Sequence, residues 1–122
     1  MTDGRYVYMR AAANEDNAPL YNYTLMPTHM RGRFRIDELR DAVLAPPFSF
    51  TKELPTLRCG GCTGKSRVAE FRTMLFDLES DPGQETPLKA PDVERRMERL
   101  LAAAMKANDA PPEQFERLGL ES

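Results

Sequence analysis

The sequence is poor in the side chains that bind metals: it has one histidine, His29, and two cysteines, Cys59 and Cys62, among its 122 residues. A structural zinc site needs four ligands, usually two cysteine pairs or a pair with two histidines, so one chain cannot complete it. The sequence also lacks a tight cluster of Asp and Asn that would suit a hard divalent cation. We therefore expect no metal bound by this chain alone.

Long apolar runs and a strong charge of one sign are also missing. No run approaches the ~20 apolar residues of a membrane-spanning helix, and 17 basic residues stand against 19 acidic ones, a net charge of −2. This balance gives no electrostatic reason to expect binding to nucleic acid or to an anionic membrane. The first residues show no secretory signal, which predicts a cytoplasmic protein as written, unless a larger parent carries its signal elsewhere.

The chain does contain strand patterns typical of one small globular domain. Apolar and aromatic residues alternate over 5–9 and 20–26, and two further β-forming runs occur at 54–59 and 68–78. The first two segments, joined by the loop 11–19, predict an antiparallel hairpin with a long connection. Together the four segments predict a small antiparallel sheet of about four strands within residues 4–78.

The strongest helical pattern spans residues 91–107. Apolar residues recur there at helical spacing, Pro91 suits the first position, and Asn108 ends the run. A shorter helix is predicted for 36–44, and 112–118 can add one more turn within the tail 108–122. The predicted fold is α+β: a single domain over 1–122, with the 91–107 helix packed across one face of the sheet.

Three short motifs invite chemical interpretation. Cys59 and Cys62 form a CxxC, for which we favour a structural role in a Gly-rich loop, with a redox pair or a metal shared between chains as alternatives. The run 64–66, Gly-Lys-Ser, lacks the preceding glycine of a phosphate-binding loop, because position 59 is cysteine. Within the basic segment 27–35, His29 and its neighbouring arginines could face sulfate or phosphate oxygens, or could simply form a solvated loop.

A more specific pattern occurs near the end of the predicted sheet. Residues 75–82 read Leu-Phe-Asp-Leu-Glu-Ser-Asp-Pro, and Glu85 and Leu88 follow. This stretch resembles the closing signature of the sulfatase family, in the alkaline phosphatase superfamily, and residues 3–10 and 108–120 resemble the neighbouring parts of bacterial sulfatase-like hydrolases. The likeness covers the family's smaller C-terminal subdomain, whereas the large N-terminal catalytic domain has no counterpart in this sequence.

The resemblance implies a C-terminal subdomain or fragment that completes a sulfuric ester hydrolase and lines its substrate pocket. His29, Arg31 and Lys52 are the candidate lining residues. In the family, a cysteine in the motif Cys-x-Pro-x-Arg becomes formylglycine, and a divalent cation, usually calcium, assists. Here Gly64 and Ser66 replace the proline and arginine that should follow Cys62. We therefore expect no catalytic residue and no cofactor in this chain, and no activity when it is alone.

The expected partner is a sulfatase N-terminal catalytic domain, or a second copy of the chain through self-association. One alternative is a free-standing interaction module derived from a sulfatase, and a weaker alternative is a CxxC metal or redox protein. In each case the acidic residues Asp77, Glu79 and Asp81 are predicted to form the turn and its caps, because Asp and Pro have local backbone roles in such patterns.

Overall fold

The computed structural model describes residues 1–61 and 72–121, which separate into two compact units. The first unit contains residues 1–18 and 72–121, and the second contains residues 19–61. The elements, in chain order, are β1 (Tyr6–Met9), β2 (Tyr21–Thr24), β3 (Thr28–His29), β4 (Gly32–Arg33), β5 (Val43–Ala45), a 3-10 turn (Ser49–Thr51), β6 (Thr56–Gly60), β7 (Met74–Asp77), α1 (Pro91–Ala107) and α2 (Pro112–Leu118). The α+β class predicted from the sequence is confirmed.

The first unit is built on an antiparallel pair of strands, β1 and β7, whose register places Tyr6 opposite Asp77 and Tyr8 opposite Leu75. The first residues of the chain fold back beside β1. There the amino group of Met1 donates to the carbonyl oxygen of Tyr8 at 2.9 Å, and the Tyr8 N–H donates to the Met1 carbonyl at 2.8 Å. Tyr8 is thereby held on both sides, and only 1% of it is exposed.

Helix α1 covers this strand pair. Pro91 begins the helix, and Val93, Met97 and Leu101 recur at four-residue spacing, so that one face is apolar. Met97 is fully buried in a core with Tyr8 and Leu75, against which Val93 and Leu101 also pack. The predicted bounds of 91–107 are confirmed, and no helix among the described residues has the length and apolarity needed to cross a membrane.

The C-terminal tail is tied to the segment that follows β1. Helix α2 buries Phe115 and ends at Gly119, whose φ of 62° suits glycine. The guanidinium of Arg10 donates to the carbonyl oxygens of Leu118 and Gly119, at 2.8 and 3.2 Å. The N–H of Ala13 donates to the Arg117 carbonyl at 2.8 Å. These bonds fix the tail beside the segment that follows β1.

The second unit has a three-stranded antiparallel sheet in the order β2-β6-β5, with a small separate hairpin made of β3 and β4. Tyr23 lies opposite Arg58 across the first pair, and Val43 lies opposite Arg58 across the second. Pro55 directly precedes β6, where its missing N–H breaks no ladder hydrogen bond. Cys59 is the one buried apolar residue of the described residues 19–61.

Two details of the sequence prediction are wrong. The described strands form three sheets of two, three and two strands, and β1 pairs with β7, whereas β2 pairs with β6. The predicted β1–β2 hairpin fails because the chain after β1 bonds to the C-terminal tail through Arg10 and Ala13. The part of the fourth predicted strand that falls on 68–71 lies outside the described residues.

The predicted helix at 36–44 is also wrong. Residues 37–41 form turns, and Val43–Ala45 is strand β5, paired with the edge of β6. The Glu38 carboxylate captures the backbone N–H of Arg35 at 2.6 Å, and Asp37 pairs with the Arg35 side chain. These local bonds compete with a helix, and the available edge of β6 then favours extended backbone.

Candidate functional site

Asp77, inside the stretch that resembles the sulfatase signature, has a structural role. The Arg5 guanidinium binds both of its carboxylate oxygens, with Nε to Oδ1 at 3.2 Å and a terminal nitrogen to Oδ2 at 2.8 Å. The Glu79 N–H also donates to Asp77 Oδ1 at 3.1 Å. The Arg5 hydrogen bonds lower the pKa of Asp77, so the carboxylate stays charged. This pair ties the start of β1 to the end of β7.

Asp81 caps the turn that follows β7. Its carboxylate accepts the backbone N–H groups of Glu85 at 3.1 Å and Thr86 at 2.8 Å, and its carbonyl accepts the Gln84 N–H at 3.1 Å. The predicted turn and cap roles of Asp77 and Asp81 are confirmed. The residue with a positive φ in this turn is Gln84, at 53°.

His29 lies on the β3–β4 hairpin and is paired with a carboxylate that the sequence analysis missed. Its Nε2 atom is 2.8 Å from Oε1 of Glu38, and the imidazole ring packs on Phe34 with the ring centres 4.5 Å apart. The hydrogen bond from the Arg35 backbone N–H, and to a smaller extent the one from the His29 ring, lower the pKa of Glu38, which keeps this side chain anionic. The His29 side chain is 53% exposed, so one edge of the ring faces solvent.

The other two candidate lining residues are cationic and exposed. Arg31 lies in the turn of the β3–β4 hairpin, one strand position from Gly32, while Lys52 follows the 3-10 turn with a φ of 52°. The side chains of Arg31, Arg33 and Lys52 have no hydrogen-bond or ion-pair partner among residues 1–61 and 72–121. Arg35 differs, because its guanidinium binds Asp37. Hence His29 and Arg31 share one hairpin, and two of its arginines are available to an anion.

An aromatic stack lies in the same unit as Lys52. The Phe48 and Phe50 rings are nearly parallel, with centres 5.3 Å apart, and Tyr23 meets Phe48 edge to face at 5.1 Å. Thr51 braces the turn, since its hydroxyl accepts the Phe48 N–H at 3.0 Å and donates to a carbonyl oxygen at 2.9 Å. Phe50 nevertheless remains 69% exposed. The turn thus holds a large apolar ring out in water.

Cys59 lacks the environment of a reactive thiol. It lies in β6, is 1% exposed, and contacts the Asn22 carbonyl through its sulfur at 3.9 Å. Burial, with a smaller contribution from the charge of Glu38, raises the pKa of this thiol. Its CxxC partner Cys62, and the 64–66 run, lie outside the described residues. The geometry of Cys59 therefore supports a structural role for this residue.

No group of three or more His, Cys, Asp or Glu side chains in the described ranges 1–61 and 72–121 could hold a metal ion. A groove of about 700 Å3 runs between α1 and the tail, lined by Arg95, Arg99, Ala102 and Leu120 among others. None of the sequence-predicted residues His29, Arg31 and Lys52 lines it. The groove is lined by side chains of both signs of charge, because the acidic residues Asp92, Glu98 and Glu121 also border it.

The two units differ sharply in how they use apolar side chains. In the first unit six apolar residues are buried: Tyr8, Leu75, Phe76, Met97, Phe115 and Leu120. In the second unit nine large apolar residues are exposed: Tyr21, Leu25, Met26, Met30, Ile36, Val43, Leu44, Phe50 and Leu54. Scattered apolar residues are normal on a protein surface, but here nine of them occur on a 43-residue segment (residues 19–61).

Comparison of this chain with protein-family models, with curated proteins and with solved structures finds no match.

Proposed function

We propose that this chain is the C-terminal subdomain of a sulfatase-like sulfuric ester hydrolase, which packs against the N-terminal catalytic domain and lines its substrate pocket. The observation that carries the proposal is the apolar surface of residues 19–61, where nine large apolar side chains are exposed and one apolar residue is buried. A unit with so little core of its own is suited to pack against a larger body.

The size of this effect can be estimated from the most exposed members. Met30 is 99% exposed, Ile36 89%, Leu44 76% and Phe50 69%. Full burial of one such side chain stabilises by roughly 1.5–3 kcal/mol, so these four alone could contribute on the order of 10 kcal/mol on docking. That gain is comparable with the loss of translational and rotational freedom, roughly 4–15 kcal/mol, that association must offset.

The geometry of residues 75–82, the stretch that resembles the sulfatase signature, favours a structural role over a catalytic one. Asp77 is engaged by Arg5, and Asp81 by two backbone N–H groups. Carboxylates committed in this way hold a strand, a turn and the approach to α1, and are not free to act as an acid or a base. The formylglycine nucleophile and the divalent cation would belong to the catalytic domain.

The hairpin that carries His29 is the proposed pocket wall. Arg31 and Arg33 offer guanidinium groups without partners among the described residues, and planar N–H donors of this kind suit sulfate oxygens. Lys52 is proposed as a further cation at the pocket edge. The cytoplasmic location predicted from the sequence belongs to this proposal as well, and cell fractionation can check it.

A binding titration tests the proposed partner. The chain is added to a sulfatase catalytic domain from which its own C-terminal subdomain has been deleted, and the heat of association is measured. We expect binding by the wild-type chain, and at least tenfold weaker binding after Met30, Ile36 and Phe50 are together replaced by Ser. The matched control replaces Met9, Leu88 and Leu100, which are exposed on the first unit, and should bind as the wild type does.

Circular dichroism of both triple variants establishes that each is folded before the titration is read. Absence of any wild-type binding would refute the proposed partner. Equal loss in the two triple variants would refute the assignment of the surface to residues 19–61.

Self-association is the second candidate, and the position of β5 at the edge of its sheet, as formed by residues 1–61 and 72–121, favours it. In this strand Val43 is 45% and Leu44 76% exposed, and an apolar edge strand of this kind can pair with another chain. Light scattering on the purified chain separates the candidates. A stable dimer that dissociates when Leu44 is replaced by Lys supports the free-standing module, whereas a monomer that binds the catalytic domain supports the subdomain.

A further inference from the structure

The turn at residues 48–54 supports the Phe50 ring although most of this ring is in water. Phe50 is nearly parallel to Phe48, with an interplanar angle of 2° and the ring centres 5.3 Å apart. Phe48 also meets Tyr23 of β2 edge to face at 5.1 Å, so an aromatic pair supports the exposed ring. A ring that is 69% exposed but supported in this way has little conformational freedom left to lose when a partner covers it.

The backbone of this turn is fixed as well. Thr51 is buried, and its hydroxyl accepts the Phe48 N–H at 3.0 Å. The carbonyl oxygens of Phe48 and Leu54, each 2.9 Å away, are acceptors for its proton. The next two residues, Lys52 and Glu53, have φ angles of 52° and 64°, which residues with a Cβ atom rarely adopt. Backbone in this conformation persists only where its surroundings determine it, so the turn is a rigid support for the exposed ring.

The charges of the second unit indicate the kind of surface that this ring meets. Residues 19–61 contain six Lys and Arg against four Asp and Glu, whereas the whole chain has an acidic excess. Two of these acids are used within the unit, since Asp37 binds the Arg35 side chain and Glu38 accepts the Arg35 N–H. The Lys52 side chain has no partner in the described part of the chain. An apolar slot with an acidic border on the partner is complementary to this arrangement.

We infer that Phe50 is the anchor of the docking surface, the side chain that contributes most to binding, and that it inserts into an apolar slot with an acidic border on the catalytic domain. Thr51 is the positioning residue of this ring. The inference rests on the proposed function, which supplies the partner, and anchors of protein interfaces are typically aromatic side chains that fill a pocket. Met30 and Ile36 are more exposed, at 99% and 89%, so few contacts within the chain hold them and they must be ordered on binding.

The support of the ring can be measured on the chain by itself. Three-bond NMR couplings of Phe50 report how far its χ1 angle is fixed. We expect one χ1 rotamer in the wild type and averaging over rotamers in Thr51→Val, which keeps the shape of the side chain but removes the hydroxyl. Thr51→Ser keeps the hydroxyl and should restore the single rotamer. A Phe50 side chain that averages over rotamers in the wild type would overturn the inference, whatever the chain binds.

The second measurement is the binding of single variants to a sulfatase catalytic domain that lacks its own C-terminal subdomain. Phe50→Ala should raise Kd roughly 30-fold or more, as expected for an interface hot spot. Thr51→Val should raise Kd by a smaller factor, with rescue by Thr51→Ser. Ile36→Ala is the matched control, because Ile36 is the more exposed side chain of the same unit, and it should raise Kd less than about fivefold. Equal losses in Phe50→Ala and Ile36→Ala would contradict the assignment of the anchor.

Salt dependence and other partners complete the test. Lys52→Gln should reduce the gain in affinity at low salt, because one cation that faces the acidic border is lost, and an unchanged salt dependence would contradict that border. Self-association, or binding to vesicles of phosphatidylglycerol and phosphatidylcholine, that Phe50→Ala abolishes would assign the ring to another partner and overturn the inferred slot. If the wild-type chain does not bind the catalytic domain, the proposed function and the slot both fail, while the NMR couplings still decide whether Thr51 positions Phe50.

Discussion

Replacing Met97 by Ala should destabilise the first unit strongly, because Met97 is the residue through which α1 packs on the strand pair. Its side chain is fully buried against Tyr8 and Leu75, which are 1% and 3% exposed. Truncation to Ala removes three heavy atoms from a buried site between the two-stranded sheet and the helix. Such substitutions cost about 2–5 kcal/mol.

The measurement is chemical or thermal unfolding followed by circular dichroism at helical wavelengths. For a unit of this size each kcal/mol lowers Tm by roughly 4–8 °C, so the expected shift is on the order of 10 °C or more. Met9→Ala is the matched control, since Met9 is 43% exposed on β1, and it should change the free energy of unfolding by less than about 1 kcal/mol. Equal effects of the two substitutions would refute the packing of α1 on β1 and β7.

Three further outcomes are expected in the same unit. The hydrogen bonds that Asp3 accepts from the Tyr6 N–H and from Arg96 lower its pKa from 3.8 to about 2. Its stabilising contribution is therefore present above pH 3.8 and is lost as the pH falls towards 2. Asp3→Asn should reduce the pH dependence of the unfolding midpoint between these two pH values. Asp77→Asn should lower Tm and reduce its salt dependence, because the bidentate pair with Arg5 is lost; an unchanged salt dependence would contradict it. Gly119→Ala should destabilise by roughly 1 kcal/mol, since a φ of 62° disfavours residues with a Cβ atom, and a neutral result would count against the observed helix end.

The local elements of this fold could be predicted from sequence because their causes are local. The alternation of Tyr6 and Tyr8 marks a strand, and the apolar spacing that includes Met97, together with Pro91, marks α1 with correct bounds. Strand pairing could not be predicted in the same way. An alternating strand has the same pattern whether it pairs with β2 or with β7, and the choice is made by distant bonds such as that of Arg10 to Leu118.

The same distinction explains the candidate site. The sequence pointed to His29 and Arg31 because histidine and arginine carry N–H donors, and both lie on one hairpin. Glu38 was missed because the sequence predicted a helix from Ile36, where Glu38 would lie on the wet face. In the folded chain its carboxylate instead bonds to the Arg35 backbone N–H and turns towards His29. The one signal in the sequence that could have suggested a turn is the presence of an acidic side chain able to hydrogen-bond to nearby backbone N–H groups.

The most direct test of the proposed role is the rate of aryl sulfate hydrolysis by a formylglycine-containing catalytic domain that lacks its own C-terminal subdomain, with and without this chain. The account predicts no hydrolysis by the chain alone, little by the truncated catalytic domain, and a clear increase when both are mixed. Hydrolysis by the purified chain alone, or a mixture no faster than the truncated domain, would contradict it.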